Sequence, residues 1–150
     1  QLMRATHLIN TKLGLILLYT AGGIAFNTFL FFGFIFSIPK DLDESAILDG
    51  CTPLKMFFKV ILPLLKPVNV TVGILSFMNT WNDFINPIYF TNKASNWPMT
   101  LAVYNFFGRY LANWNLVCAD IILTSLPVII VYILGQKYIV AGMTMGSVKG

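Results

Sequence analysis

For 27 residues between Lys12 and Lys40 the chain carries no Asp, Glu, Lys or Arg. A helix needs about 20 apolar residues to cross the hydrocarbon core of a bilayer. Residues 13–36 are therefore predicted to form a membrane-spanning helix. Composition removes the alternative of a buried helix in a soluble core. Of the 150 residues, 57% are hydrophobic and 11% charged, against roughly 45–50% and about 25% in soluble domains. One core of this size cannot hide that much apolar surface. Gly14, Gly22, Gly23, Thr28 and Gly33 would let neighbouring membrane helices approach closely.

Half of all the charged side chains then fall within residues 37–66: Lys40, Asp41, Asp43, Glu44, Asp49, Lys55, Lys59 and Lys66. This segment must face water or headgroups. Two short helices are predicted in it. The first starts near Ser37-Ile38-Pro39, with Asp41, Asp43 and Glu44 at the positive end of its dipole, and stops at Gly50. The second starts at Thr52-Pro53, a cap followed by Pro at the first helical position. Its Leu54, Phe57, Phe58, Ile61 and Leu65 share a face at helical spacing, beside Lys55, Lys59 and Lys66, the pattern of a helix at a membrane interface. Pro63 and Pro67 predict a kink that turns the chain into the bilayer.

A second span is predicted over 61–82 and a third over 115–135. Between them, Asn79, Asn82, Asp83, Asn86 and Pro87 break the hydrophobicity. Trp81, Tyr89 and Trp97 fit an aromatic belt. Residues 88–114 read as an outer loop with one short helix near Thr100–Leu111. Pro127 lies inside the third span, with Thr124 and Ser125 near enough to satisfy freed backbone groups. Asp120, an acid within a span, is a candidate for the translocation path. Asn79, Asn82 and Asp83 either line an outer mouth or cap the end of the second span. The tail 136–150 is polar and rich in glycine.

Several function classes are excluded. Net charge is +4 without a run of Lys and Arg, so no nucleic-acid surface is expected. His7 is the only histidine. Cys51 and Cys118 lack metal-ligand spacing. No catalytic set, metal site or cofactor site is expected. The phosphate loop G-x-x-x-x-G-K-[ST] is absent, so the chain itself is not expected to hydrolyse ATP. Three spans place 37–66 and the tail on one side with six lysines. The other side has Arg4, Lys12, Lys93 and Arg109. That bias predicts a cytoplasmic 37–66 loop and C-terminus. The chain begins with Gln1 and no signal-peptide charge pattern, so a piece lacking its N-terminal part is expected.

Glu44-Ser45-Ala46, three residues, Gly50, nine residues, Val60, one residue, then Leu62-Pro63: this spacing resembles the Glu-Ala-Ala loop of ABC importer permeases. Ser45 and Val60 depart from the usual Ala and Ile. Four further stretches resemble the maltose-type carbohydrate permeases. They are Ile38-Pro39-Lys40-Asp41-Leu42-Asp43, Leu62-Pro63-Leu64-Leu65-Lys66-Pro67, Trp81-Asn82-Asp83-Phe84-Ile85-Asn86-Pro87, and the tail from Gln136 to Gly150 with Leu126-Pro127 upstream. Asp120 departs from the small apolar residue usual there.

The resemblance implies an all-α polytopic transmembrane bundle. Residues 1–150 would form one permease domain, the C-terminal half of a chain with about six spans. It implies a coupling helix around Asp43, Glu44, Ser45, Ala46, Asp49 and Gly50, followed by Leu62 and Pro63, docking on a separate ABC ATPase that works as a homodimer. A second permease subunit, an extracytoplasmic solute-binding protein and a sugar are the other implied partners, besides membrane lipid. Asp41, Asp43, Glu44 and Asp49 would present charge complementary to a partner, and Ala46 would allow its close approach. The Glu-Ala-Ala loop alone would equally suit an importer of polyamines, phosphate or amino acids. An integral membrane enzyme or a non-transporting membrane anchor are readings from other classes.

Overall fold

The computed structural model describes residues 1–106 and 114–145. Arg109, the later part of the helix expected near Thr100–Leu111 and the C-terminal Gly146–Gly150 lie outside the described residues. The described residues are predominantly helical, and secondary structure follows the charge gaps. A first turn, α1 (Leu2–Ala5), precedes α2 (Lys12–Ile35). Thr11 caps α2, its Oγ1 accepting from Gly14 N at 3.0 Å. With 24 residues and 1.5 Å per residue, α2 is about 36 Å long, enough to cross a bilayer. The apolar stretch 13–36 reaches its end one residue past the helix.

The chain then leaves helical geometry for a tight turn. Ser37 Oγ donates to Phe34 O at 2.7 Å, and Ile38 N to Ile35 O at 3.1 Å. The next helix, α3 (Asp41–Leu48), starts two residues beyond Pro39. The expected start near Ser37-Ile38-Pro39 is therefore too early. A residue before Pro is pushed out of the α region, and Ser37 spends its hydroxyl closing the previous helix. The acids Asp41, Asp43 and Glu44 do occupy the first turn. Gly50 ends α3 with φ of 73°. Cys51 N donates to Ala46 O at 3.0 Å and Gly50 N to Ile47 O at 2.9 Å. This pair of bonds is a Schellman cap, which requires a left-handed residue where Gly50 stands.

Thr52 opens the next segment, accepting from Lys55 N with Pro53 in the first helical position. The segment comprises α4 (Pro53–Met56), a π turn (Phe57–Ile61) and α5 (Leu62–Leu64). Proline explains the π turn. Pro63 has no N–H for the Lys59 carbonyl, and its ring crowds that carbonyl, so the helix widens there. Leu65 is the break, with ψ near 0°. Pro67 likewise cannot bond to Pro63. The following helix α6 (Lys66–Trp81) is bent by 67° from the limb Pro53–Leu64. The bend thus falls within the expected span 61–82. Residues 61–64 belong to the limb, and α6 alone, with 16 residues, is about 24 Å long.

Beyond α6 come α7 (Ile85–Phe90), a 3₁₀ turn (Ala94–Asn96), α8 (Met99–Ala102) and a second 3₁₀ turn (Val103–Phe106). The last helix, α9 (Trp114–Met145), has 32 residues. It continues ten residues past Gly135, so the first part of the 136–150 tail is helical.

The chain forms two compact units, residues 1–23 with 76–133 and residues 24–75 with 134–150. In the second, Phe34, Leu65 and Val68 form a buried cluster against Leu30, Phe31, Ile38, Ile61 and Val72. Gly135 of α9 meets Ile74 of α6 so closely that an added Cβ would lie 2.4 Å from Ile74 Cδ1. Thr71, buried, donates its hydroxyl to Tyr138 O at 2.8 Å. By contrast, a Cβ at Gly22 or Gly33 would meet nothing within 4 Å, so these two glycines of α2 seat no helix among the described residues.

In the first unit, Trp81 ties α6 to α9. Its Nε1 donates to Thr124 O at 2.9 Å, and its ring stacks on Phe77 at 5.4 Å between centroids. The hydroxyls expected to repair the Pro127 gap do otherwise. Thr124 Oγ1 lies 2.7 Å from Asp120 O, and Ser125 Oγ donates to Ile122 O at 2.9 Å. Both bond back into the preceding turn. The indole instead reaches the carbonyl beside the weakened rung. Trp81→Phe keeps a ring against Phe77 and removes this donor. It should lower stability by about 0.5–1.5 kcal/mol, read from detergent thermal unfolding and faster amide exchange around Val128. An unchanged melting curve would remove the bond's importance.

Most large apolar side chains stay exposed, among them Phe29 at 71%, Ile122 at 60% and Leu134 at 69%. Each would forgo about 1.5–3 kcal/mol in water. Lipid removes that penalty. Two helices, Lys12–Ile35 and Trp114–Ile139, are long and apolar enough to cross a membrane, and a third span results if the bent pair counts as one.

Candidate functional site

Two places gather polar groups in a chain otherwise short of them. The first is the charged turn-helix segment in the second unit. Asp41 and Glu44 on α3 and Asp49 at its C-terminal cap are exposed, while Asp43 is half-buried. Ser45 is exposed and folds its hydroxyl back to Asp41 O at 2.7 Å. The buried Oδ1 of Asp43 has no hydrogen-bond partner among the described residues. Ala46 is 5% exposed. Its small side chain packs against its own chain. Gly50 is exposed in its left-handed geometry, and Leu62 and Pro63 sit exposed on α5. The arrangement is a short acidic helix stopped by a rigid cap, then a corner stiffened by proline. An acidic patch of this kind suits a partner with cationic residues.

The expected apolar stripe of the second helix divides in two. Ile61 and Leu65 turn into the Phe34–Val68 cluster. Leu54, Phe57 and Phe58 remain exposed, and the rings of Phe57 and Phe58 meet edge to face at 5.2 Å. The π turn lets one stripe serve both sides.

The second place is a polar platform in the first unit, where α6 ends. Asp83 is its centre. Its Oδ1 accepts from Ile85 N at 3.0 Å and Asn86 N at 3.3 Å, and its Oδ2 from Asn86 Nδ2 at 2.7 Å. Burial pushes the carboxyl up, but the donors of Asn86 and Ile85, with the nearby Tyr19 hydroxyl of α2, outweigh it and hold Asp83 below the usual carboxylate range. Asp83 thus starts α7.

The same platform has a hub that sequence reasoning passed over. Asn10, with φ of 64°, accepts on Oδ1 from Asn92 N and from Lys93 N at 3.2 Å, and on its carbonyl from Asn96 Nδ2 at 2.7 Å. Its own N–H donates to Phe90 O at 2.9 Å. The available signal was an Asn between two helices, a residue type that tolerates left-handed geometry. Trp97 Nε1 donates to Thr91 O at 2.9 Å, whereas Tyr89 is exposed. Asn79 and Asn82 are exposed near this end of α6, and Asp120 is half-buried on α9.

The Asp83 network predicts a pH dependence with a definite sign. A carboxylate held low in the folded state stabilises it above its unfolded value of about 3.9, and loses that effect as pH falls through the lower folded value. Asp83→Asn should therefore cost stability at neutral pH, by about 1–3 kcal/mol for the disrupted charged bonds. The gap to wild type should close below about pH 4. Thermal unfolding of both proteins against pH reads this directly. A gap that persists in acid would show that charge is not what the network uses.

Comparison with known proteins covers nearly the whole chain. Residues 3–145 match the family described as binding-protein-dependent transport system inner membrane component. The chain is 37% identical over 139 residues to a probable starch degradation products transport system permease of Thermoanaerobacterium thermosulfurigenes, covering 93% of this chain and 51% of that one. It is 39% identical to a melibiose/raffinose/stachyose import permease of Bacillus subtilis, covering 95% and 52%. It is 40% identical to a multiple sugar-binding transport system permease of Streptococcus mutans, covering 91% and 50%. The chain spans about half the length of these curated relatives.

Proposed function

Because the chain belongs to the family of binding-protein-dependent transport system inner membrane components, we propose that the whole protein is the permease subunit of an ATP-binding-cassette sugar importer. The single observation carrying the sugar assignment is the agreement among relatives. Relatives at 37–40% identity include ones described as permeases for starch degradation products, for melibiose, raffinose and stachyose, and for multiple sugars. No observation favours polyamine, phosphate or amino acid import, or a non-transporting anchor.

In this proposal ATP is hydrolysed by a separate homodimeric ABC subunit. A second permease subunit completes the pathway, and an extracytoplasmic binding protein delivers the sugar. The loop 37–66 and the C-terminus are cytoplasmic. Residues 13–36, the part of 61–82 beyond the bend at Leu65, and 115–135 are the membrane spans of one permease domain. Asp43, Glu44, Ser45, Ala46, Asp49 and Gly50, with Leu62 and Pro63, form the coupling element. Its acids meet cations of the ATPase, Ala46 seats the helix, and the Gly50 cap and proline corner pass a rigid-body motion to α6. Asn79, Asn82 and Asp120 offer amide and carboxylate groups to a hydroxylated solute along the path. Asp83 keeps that end of α6 in shape.

The test is uptake. Cells lacking the full-length permease should fail to import labelled oligosaccharides and regain import when it is returned. Import of an amino acid, a polyamine or phosphate restored in place of sugar would overturn the substrate class.

A further inference from the structure

The limb Pro53–Leu64 leaves a second surface unexplained by coupling. Leu54 and Phe58 lie one turn apart, 72% and 60% exposed. Lys55 and Lys59 form the next row, also one turn apart and exposed, and Lys66 follows beyond the bend. Residues one turn apart share a face, so an apolar row and a cationic row run side by side. No acid occurs between Asp49 and Asp83. None of the three lysines is ion-paired among the described residues.

Orientation says what covers this surface. The limb is bent by 67° from α6. Membrane helices tilt on average by roughly 20° from the bilayer normal, which puts the limb at roughly 47–87° from it, nearer the plane of the membrane. A helix lying in that plane sinks its apolar row toward the acyl chains. Its lysine stems lie along that surface and bring the ammonium groups to phosphate depth. A protein partner would have to offer an apolar pocket edged by acids. The bilayer offers both chemistries in one surface.

We infer that the limb Pro53–Leu64 is an interfacial anchor for anionic phospholipid, with Leu54 and Phe58 among the acyl chains and Lys55 and Lys59, joined by Lys66, on the headgroup phosphates. The inference goes beyond the transport proposal and needs only the membrane location, so its failure leaves that proposal standing.

The experiment uses the full-length permease in lipid nanodiscs of phosphatidylcholine, with and without phosphatidylglycerol. Every native cysteine, Cys51 and Cys118 among them, is replaced by Ser, and a spin label is placed at Phe58→Cys, or separately at Leu54→Cys. Gel filtration confirms that each variant folds. The label should be reached by oxygen more than by a water-soluble nickel chelate, and should shift deeper when phosphatidylglycerol is present. Lys55→Gln with Lys59→Gln should abolish that shift. A label reached mainly by nickel means water covers the row. A label shielded from both reagents means protein covers it. A depth indifferent to phosphatidylglycerol removes the phosphate contacts. Each of these results overturns the inference.

Discussion

Gly50→Val should abolish sugar uptake by the full-length permease while leaving the protein in the membrane, whereas Gly50→Asn should retain most of it. The difference is backbone alone. At φ of 73°, a Cβ on residue 50 would meet nothing within 4 Å, so no packing clash confuses the comparison. A left-handed residue costs an ordinary L-amino acid roughly 1–2 kcal/mol and a β-branched one more, while Asn enters that region readily. Valine is expected to open the cap, releasing the bonds from Cys51 N to Ala46 O and Gly50 N to Ile47 O. The acidic helix then loses its fixed exit, and motion is no longer passed through it. Gly50→Pro, with φ locked near −65°, should behave like valine. Uptake by membrane vesicles, normalised to permease content, measures all three. Equal activity of the valine and asparagine variants would show that the cap plays no part in coupling.

Gly135→Val should destabilise the packing of α9 on α6, and Ile74→Ala should restore it. The built Cβ at position 135 lies 2.4 Å from Ile74 Cδ1, with Cγ1 and Cγ2 at 3.2 and 3.3 Å. The tip of Ile74 can rotate away from an alanine. It cannot clear both γ carbons from a branched residue. Overpacking of this kind costs about 1–3 kcal/mol, and close approach through a small residue is how membrane helices gain contact. Thermal unfolding of the single and double variants in detergent reads the cycle. Additive losses, with no rescue, would place the two helices further apart than described.

Local chemistry made much of this legible. The charge gap from Lys12 to Lys40 gave α2, and Thr52-Pro53 and Gly50 marked helix ends whose bonds lie within a few residues. Pro63 and Pro67 announced a bend, but its position at Leu65 depends on how the π turn absorbs the lost donor and on Leu65 joining Phe34 and Val68. Gly135-Gln136-Lys137 reads as a stop, yet the helix runs on to Met145, because Ile74 and Thr71 of α6 hold that stretch from outside. In the same way, nothing near Asp83 in sequence points to Tyr19, and nothing near Asn10 points to Asn92 and Asn96. Those contacts join residues far apart in the chain, which periodicity and spacing do not encode. The Glu44–Pro63 spacing, being local, carried the resemblance on which the proposed coupling element rests.

We propose that the acidic segment around Glu44 docks on an ATPase. The most direct test is capture of ABC ATPases of the same organism by the full-length permease, in detergent, as wild type and as Glu44→Lys. Glu44 is exposed on α3, so charge reversal leaves the helix intact and opposes the cationic partner. Wild type should retain the ATPase and Glu44→Lys should lose it at equal permease recovery. Wild-type permease that captures no ATPase, or equal capture by both proteins, would contradict the account.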